Sequence, residues 1–233
     1  MKAARFNILG VGVSAIDMPA ALAAIDGWIA RNERSYVCVT GVHGIIESRS
    51  DEGLRRTFND AGLVTPDGVP LVWLGKLFGH TGIRRVYGPD LLEALCARER
   101  PAYRHFFLGF DPDRVDTLRR RLQERFPHLQ VAGTFGLPQG EHGPELEGAV
   151  VAAIEAAKPD IVWVGLGVPR QERWMARHRP LLSAPALIGV GAAFDFHAGL
   201  KPQAPRWMQR NGLEWLFRLC SEPRRLWRRY LIG

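Results

Sequence analysis

The stretch Ile161-Val162-Trp163-Val164-Gly165-Leu166-Gly167-Val168-Pro169-Arg170-Gln171-Glu172 decides the fold. Its apolar first part predicts a buried strand, and Pro169 is typical of the first turn of a helix. The glycines between them allow free N–H groups at the helix start to approach an anion such as a diphosphate. Gly165, Gly167 and Gln171 are therefore candidate ligand-binding residues, with Gln171 placed to read a polar edge of a base or sugar. Glu172 is explained as well by a favourable interaction with the helix dipole.

The same alternation of apolar runs and amphipathic stretches continues on both sides. Strands are expected at residues 36–42, 61–65, 104–110, 129–135, 161–167 and 186–193. Helices are expected at residues 19–31, 45–59, 89–98, 113–126, 144–157 and 169–178. Strands that alternate with helices predict an α/β fold with a Rossmann-like, largely parallel sheet covered by helices.

Ligands of such sheets bind at the carboxyl ends of the strands. The first strand ends near Thr40 and His43, the last at a glycine turn that includes Gly191, and the short second strand at Pro66-Asp67-Gly68. Thr40, His43 and Gly191 are therefore further candidates, although a lone histidine is more often structural. Asp67 has two interpretations that position alone leaves open: a helix cap or Asx-turn, and a general base in a cleft.

Two motifs favour simpler explanations. The segment from Gly10 to Ala15 matches a dinucleotide-binding pattern, but Asp17 and Pro19 interrupt the helix start, which favours a plain strand and turn over a nicotinamide or flavin site. Asp111-Pro112-Asp113 resembles a metal-binding acidic pair, yet its place after a strand favours an N-cap followed by proline at the first helical position.

Composition excludes several other classes of protein. The three cysteines lie far apart and the seven histidines show no zinc-ligand spacing, so we expect neither a disulfide framework nor a metal or other cofactor. A reducing, cytoplasmic compartment fits this cysteine usage. The N-terminal residues make a poor signal peptide, and no apolar run approaches the ~20 residues of a transmembrane helix, so membrane contact is expected to be peripheral.

The charge is concentrated at one end of the chain. Residues 199–233 contain eight basic and two acidic residues, which gives +6 of the net charge of +7. This tail is also rich in tryptophan and leucine and is expected to be helical to its end. We therefore predict two units: an α/β body at residues 1–198 and a basic helical appendage at 199–233.

A basic amphipathic tail with aromatic residues is typical of proteins that bind an anionic membrane surface. Nucleic-acid binding is an alternative, but the chain has no recognised nucleic-acid-binding motif, and we expect no nucleic-acid partner. A tail docked on its own domain or on a second subunit is another alternative, so a homo-oligomer stays open. Docking of the tail does not explain its six net positive charges.

Several blocks of the sequence together resemble the WecG/TagA/CpsF glycosyltransferase family. They are Thr40 with His43, Pro66-Asp67-Gly68, Arg85-Val86-Tyr87-Gly88, the 167–172 loop, residues 191–199, and the tail from Gly212 through Arg218 and Glu222 to Tyr230. The blocks occur in the family's order over nearly the whole chain.

The resemblance implies an inverting, metal-independent transferase. It would move a sugar from a UDP-sugar to a polyprenyl-diphosphate-linked saccharide at the inner face of the cell membrane, in the synthesis of a cell-surface polysaccharide. The donor sugar stays open among a mannosamine, a uronic acid and a hexose.

The resemblance also assigns roles to residues. Asp67 is the implied base, Thr40 and Gln171 line the cleft, and Arg85 lies close to it. The tail arginines Arg218, Arg225 and Arg228 would face the diphosphates, a role that suits the planar, permanently charged guanidinium. Val42 departs from the family pattern, in which many members have asparagine there, so a sugar contact from that position is not expected here.

Overall fold

The computed structural model describes residues 3–138, 140, 143–224 and 227. Six parallel strands form the central sheet: β3 (Ser35–Thr40), β4 (Leu63–Pro66), β5 (Arg104–Phe110), β6 (Gln130–Leu137), β7 (Ile161–Gly165) and β8 (Ala186–Gly189). Their order across the sheet is β4-β3-β8-β7-β5-β6. The predicted parallel α/β fold is confirmed, and the strands end close to the predicted positions.

Helices cover both faces of the sheet. They are α1 (Met18–Arg31), α2 (Val42–Ser50), α3 (Glu52–Asp60), α4 (Val69–Leu77), α5 (Gly88–Cys96), α6 (Pro112–Arg125), α7 (Pro144–Ala157), α8 (Arg170–His178), α9 (Ala193–His197), α10 (Arg206–Arg210) and α11 (Glu214–Ser221). Successive strand residues point to opposite faces, so Val162 and Val164 belong to one apolar core and Trp163 to the other. The fully apolar strands are explained by burial on both faces.

The first residues form a separate antiparallel hairpin of β1 (Arg5–Ile8) and β2 (Val11–Ser14). Leu9 and Gly10 have φ angles of 52° and 89°, which is the backbone of a two-residue hairpin turn. A dinucleotide site needs these glycines between a strand and a helix. The strand-and-turn interpretation is therefore confirmed, and the alternative of a nicotinamide or flavin fingerprint is wrong.

The helix expected at residues 45–59 is two helices. Asp51 ends α2 with an extended backbone and then caps α3, because its Oδ1 accepts the N–H of Leu54 at 2.9 Å. The hydrogen bond from the Asp51 side chain to the backbone replaces a helical hydrogen bond, which favours a break between two helices over one continuous helix. Asp111 likewise caps α6, accepting the N–H of Asp113 at 3.1 Å with proline in the first turn, as predicted.

The tail is not one continuous helix over the part that the structure describes. Helices α10 and α11 are separated by a turn in which Gly212 has a φ of +72°. The tail packs on the body through ion pairs: Lys201 Nζ lies 3.1 Å from Asp195 Oδ2, and Arg206 Nη1 lies 3.1 Å from Asp90 Oδ2. No helix within the described ranges is long and apolar enough to cross a membrane.

Candidate active site

A cavity of about 700 Å³ opens at the carboxyl ends of β3, β4, β7 and β8, with α11 on one side. This volume is in the range of small-molecule sites. Eight predicted residues line it: His43, Asp67, Arg85, Gly165, Gly167, Gln171, Gly191 and Arg218. Two other predicted residues, Arg225 and Arg228, lie outside the described residues.

Asp67 follows the last residue of β4 and points into the cavity. Its backbone N–H donates to the carbonyl of Thr40 at 3.0 Å, which ties the end of β4 to the end of β3. Its Oδ1 accepts the N–H of Gly88, the first residue of α5, at 3.2 Å. Helix α4 has Gly68 as its N-cap and no side-chain cap. The carboxyl therefore does not cap the helix that follows it, which removes the local-cap explanation.

Burial raises the pKa of Asp67 above its ordinary value. The Arg85 guanidinium partly offsets this shift, since its Nη2 lies 3.8 Å from Asp67 Oδ1, whereas the charge of Glu214 adds to it. A carboxylate that is partly desolvated and still 27% exposed is a stronger base than an aspartate in water and remains open to a substrate.

Arg85 is fixed by three groups. Its Nε donates to the backbone carbonyl of Asp67, its Nη2 donates to Glu214 Oε2 at 2.5 Å, and its guanidinium stacks 3.9 Å from the centre of the Tyr87 ring. The cation therefore has a defined position beside the carboxyl of Asp67. Sequence blocks placed Arg85 near the cleft, and the structure places it on the cavity wall.

Glu214 connects this arginine to the tail. Its Oε1 accepts from Arg218 Nη2 at 2.6 Å and from the hydroxyl of Tyr87 at 3.3 Å. Burial raises the pKa of Tyr87, so its hydroxyl stays protonated as a donor. The Arg218 guanidinium also lies over the Phe196 ring, 5.3 Å from its centre. Arg218 thereby reaches the same cavity as Asp67.

Glu214 and Tyr87 are site residues to which the sequence assigned no role. Glu214 did carry a signal, because it is one of only two acidic residues in a strongly basic tail. An isolated acid among arginines is a candidate for an ion pair that organises them. Nothing in the sequence indicated that Glu214 would pair with Arg85, which lies 129 positions earlier.

The glycine loops after β7 and β8 form the opposite wall. Gly167 and Gly191 have φ angles of +71° and +49°, a region that other residues rarely adopt. A Cβ on Gly165 would lie 2.5 Å from the ring of Phe194, so only glycine fits at that strand end. Gly165 is therefore required for packing against Phe194, whereas a Cβ on Gly167 would meet nothing within 4 Å, so space for a ligand close to the backbone exists at Gly167.

Gln171 lies at the start of α8 beneath these loops and is 1% exposed. Its Nε2 donates to Glu172 Oε1 at 3.0 Å, while its Oε1 has no hydrogen-bond partner among the described residues. Because Gln171 lines the cavity and a buried amide oxygen normally has a partner, a donor from a bound ligand is a candidate partner for this oxygen. Glu172 is fully buried, and its burial raises its pKa to about 7.

One predicted residue, Thr40, does not line the cavity wall. Thr40 is 1% exposed, and a Cβ on Gly44 would meet its Oγ1 at 2.4 Å, so the hydroxyl points under α2. Its main contact with the site is the backbone bond to Asp67, and a sugar contact from Thr40 stays a prediction. His43 lies on the wall at the start of α2, with its Nε2 3.3 Å from Glu47 Oε2. Val42 also lines the cavity.

Acidic, cysteine and histidine side chains do not gather into a group of three or more anywhere in the described part of the chain. The carboxyl of Asp111 already has two partners. It accepts the N–H of Asp113 as the cap of α6, and its Oδ2 lies 3.4 Å from Arg114 Nε. The positive charge on the cavity wall comes from arginine and lysine: Arg85, Arg114, Lys201 and Arg218. Independence from metal stays a prediction.

Comparison with known proteins gives one family. The sequence profile of the "Glycosyl transferase WecG/TagA/CpsF family" matches residues 6–233. Among curated relatives, a protein of Bacillus spizizenii is 29% identical over 88% of this chain and 77% of its own length. One of Bacillus subtilis is 31% identical over 74% and 66%, and one of Staphylococcus aureus is 26% identical over 97% and 88%.

All three relatives carry the name N-acetylglucosaminyldiphosphoundecaprenol N-acetyl-beta-D-mannosaminyltransferase. The family profile covers the hairpin, the whole sheet, the cavity walls and the tail. This chain, with its carboxyl group and arginines at the strand ends, belongs to the WecG/TagA/CpsF family and is a glycosyltransferase.

Proposed function

We propose that the protein transfers a sugar, with inversion, from a UDP-sugar to a saccharide linked to polyprenyl diphosphate at the inner membrane face. The observation that carries the proposal is the pairing of Asp67 with Arg85 and Arg218 in one cavity. The relatives' names describe a diphosphoundecaprenol-linked N-acetylglucosamine acceptor and an N-acetylmannosamine product in the β configuration. We extend this acceptor class, and N-acetylmannosamine as the first donor sugar to test, to this chain.

The proposed reaction is a single displacement. Asp67 removes the proton from the acceptor hydroxyl as its oxygen bonds to the anomeric carbon, and the bond from that carbon to the UDP oxygen breaks. Because Oδ1 is oriented by the Gly88 N–H, we assign Oδ2 as the oxygen that takes the proton. An α-linked donor would then give a β-linked product.

The leaving UDP carries the electron pair and needs positive charge close to its diphosphate. Arg85 and Arg218 supply this charge at the cavity wall, and the N–H groups of the 165–172 loop supply further donors. Gln171 lines the cavity and its buried Oε1 has no partner among the described residues, so we assign it, after a small side-chain shift, as an acceptor for a uracil or sugar N–H or O–H. Arg225 and Arg228, outside the described residues, stay predicted diphosphate ligands.

The test is UDP release from a panel of UDP-sugars, including UDP-N-acetylmannosamine, with an N-acetylglucosamine-diphospholipid acceptor. We expect turnover with one donor class and a decrease of ~10²–10⁴-fold in Asp67→Asn, the usual contribution of a general base. Asp116→Asn, which changes an exposed carboxyl on α6, is the matched control and should keep full activity. Undiminished turnover in Asp67→Asn would remove the base assignment.

A further inference from the structure

Helix α4 carries an exposed apolar row. Leu71, Val72 and Gly75 on its inner face are buried, whereas Trp73 is 58% and Leu77 80% exposed on the outer face. Trp73 and Leu77 are four positions apart, so they are neighbours on the helix surface, and Phe78 follows at 57% exposure. Large apolar side chains that are grouped on a surface mark an interaction site, unlike single ones.

The body holds this row in place. The ring of Phe78 packs against Phe6 of the hairpin, with ring centres 6.1 Å apart. A Cβ on Gly212 would lie 3.5 Å from the Trp73 ring and 3.4 Å from Val69, so the turn between α10 and α11 passes directly beside α4. The exposed row therefore adjoins the turn of the tail at Gly212, and its far end is packed on the hairpin.

The tail adds apolar and basic side chains to the same region. Trp207 is 60%, Trp215 42% and Leu216 39% exposed on α10 and α11. Lys76 on α4 and Arg210 at the end of α10 are exposed as well. Tryptophan combined with basic residues fits the interface of an anionic bilayer, where the rings lie at headgroup level and the cations meet lipid phosphates.

The cavity opens at this surface, since Val69, Pro70 and Trp215 line its wall. A second copy of the chain seated on the row would cover this opening. A bilayer would instead bring a lipid-linked substrate to it. The position of the row therefore favours a lipid partner over self-association.

We propose that Trp73 and Leu77 of α4 and the adjoining Phe78 form, together with α10 and α11, the surface that docks on an anionic membrane. The body then contributes to membrane binding together with the basic tail, and docking orients the cavity toward the lipid headgroups. The choice of a lipid partner rests on the proposed function, whereas the test does not require turnover.

The first experiment measures co-sedimentation with vesicles of phosphatidylglycerol and phosphatidylcholine that contain no saccharide lipid. We expect Leu77→Ser with Phe78→Ser to weaken binding about tenfold with the tail intact, since removing two apolar anchors lowers the buried apolar area. Leu181→Ser, which changes a single leucine 60% exposed after α8, is the matched control and should bind like the wild type. Wild-type affinity in the double variant would overturn the proposal.

A second experiment reports on position. Cys38 and Cys96 are buried and Cys220 is exposed, so Cys220→Ser gives a background for labelling Leu77→Cys or Leu181→Cys with a polarity-sensitive dye. Vesicles should shift the emission of the label at position 77 to the blue and leave position 181 unchanged. Equal responses at both positions would contradict the proposal.

Sedimentation velocity tests the alternative partner. If the double variant converts a wild-type oligomer to monomer and vesicle binding is unchanged, the row is an interface between copies and the proposal is wrong. UDP release on a water-soluble acceptor separates this proposal from the proposed function. A protein that binds vesicles through α4 but turns over no donor would contradict only the proposed function.

Discussion

Arg85 Nη2 donates to Glu214 Oε2 at 2.5 Å, and this contact joins the cavity wall beside Asp67 to the tail. The same carboxylate accepts from Arg218 at 2.6 Å, so one acidic side chain holds two arginines beside Asp67. Both partners are largely buried, at 19% and 12% side-chain exposure for Arg85 and Glu214. Without Glu214 the two guanidinium groups would repel each other across the cavity wall.

The first prediction concerns Glu214 as the support of both arginines. Glu214→Ala should lower kcat/KM by ~10-fold or more, because the two arginines beside Asp67 lose the carboxylate that holds them in position, and misplaced binding groups slow the reaction. Glu214→Gln keeps two polar atoms and should fall between this variant and the wild type. The measurement is steady-state UDP release with a water-soluble acceptor.

Glu222→Gln is the control for this prediction, because Glu222 is a tail carboxyl that pairs with Lys201 at 3.2 Å. We expect Glu222→Gln to keep most of the activity. A double-mutant cycle between Glu214→Gln and Arg218→Lys should show non-additive losses, since both changes remove the same contact. Additive losses would mean that Glu214 does not act through Arg218.

The second prediction is the acid limb of the pH profile. Asp67 must be ionised to accept a proton, so kcat/KM should fall as the pH decreases through its raised pKa. The negative charge of Glu214 contributes to that rise. Glu214→Gln should therefore move the limb to lower pH, and a limb at the same or higher pH would refute this electrostatic coupling.

The third prediction concerns the planar guanidinium group of Arg218. Arg218→Lys keeps the positive charge but loses the paired N–H groups that match phosphate oxygens. We expect the KM for the UDP-sugar to rise about tenfold or more, while Arg210→Lys in the exposed tail leaves it unchanged in the soluble assay. An unaltered KM in Arg218→Lys would place the diphosphate elsewhere. Arg225→Lys and Arg228→Lys extend the same test to the rest of the tail.

The fourth prediction is pH-dependent stability from Glu172. Its pKa of about 7 in the folded protein lies above the ordinary glutamate value of 4.5, so the folded state binds more protons than the unfolded state between these values. The contribution of Glu172 to the free energy of unfolding is therefore fully present below pH 4.5 and is lost as the pH rises through about 7. The loss between pH 5 and pH 8 should be about 2 kcal/mol.

Urea unfolding at both pH values measures this effect. Glu172→Gln cannot ionise and should remove this part of the pH dependence. Glu124→Gln, which changes a carboxyl 68% exposed on α6, should unfold with the wild-type pH dependence. The same pH dependence in Glu172→Gln as in the wild type would show that Glu172 does not titrate in this range.

The fifth prediction is that catalysis needs no metal ion. The cavity wall carries arginine and lysine where a divalent cation would otherwise neutralise the leaving diphosphate. UDP release should be unchanged after dialysis against EDTA and should not increase when magnesium or manganese is added. Loss of activity in EDTA that either ion restores would overturn this prediction.

The sequence by itself determined the strand–helix alternation, because apolar periodicity and turn residues are local properties. It also predicted that Asp67, Gly167 and Gln171 lie at the strand ends, where the cavity opens, and it predicted the cap at Asp111. It misjudged the break at Asp51, since both sides of that residue carry helical patterns and only the cap geometry separates them.

Only the tertiary structure decided which distant residues meet. It paired Glu214 with Arg85, turned the Thr40 hydroxyl under α2, and left the apolar row of α4 exposed beside the tail. These outcomes depend on how the chain returns to the sheet edge, where ion-pair distances and burial are set by packing between segments far apart in sequence. A local pattern holds no information about those distances, and for that reason the sequence located the site while the fold determined its charge arrangement.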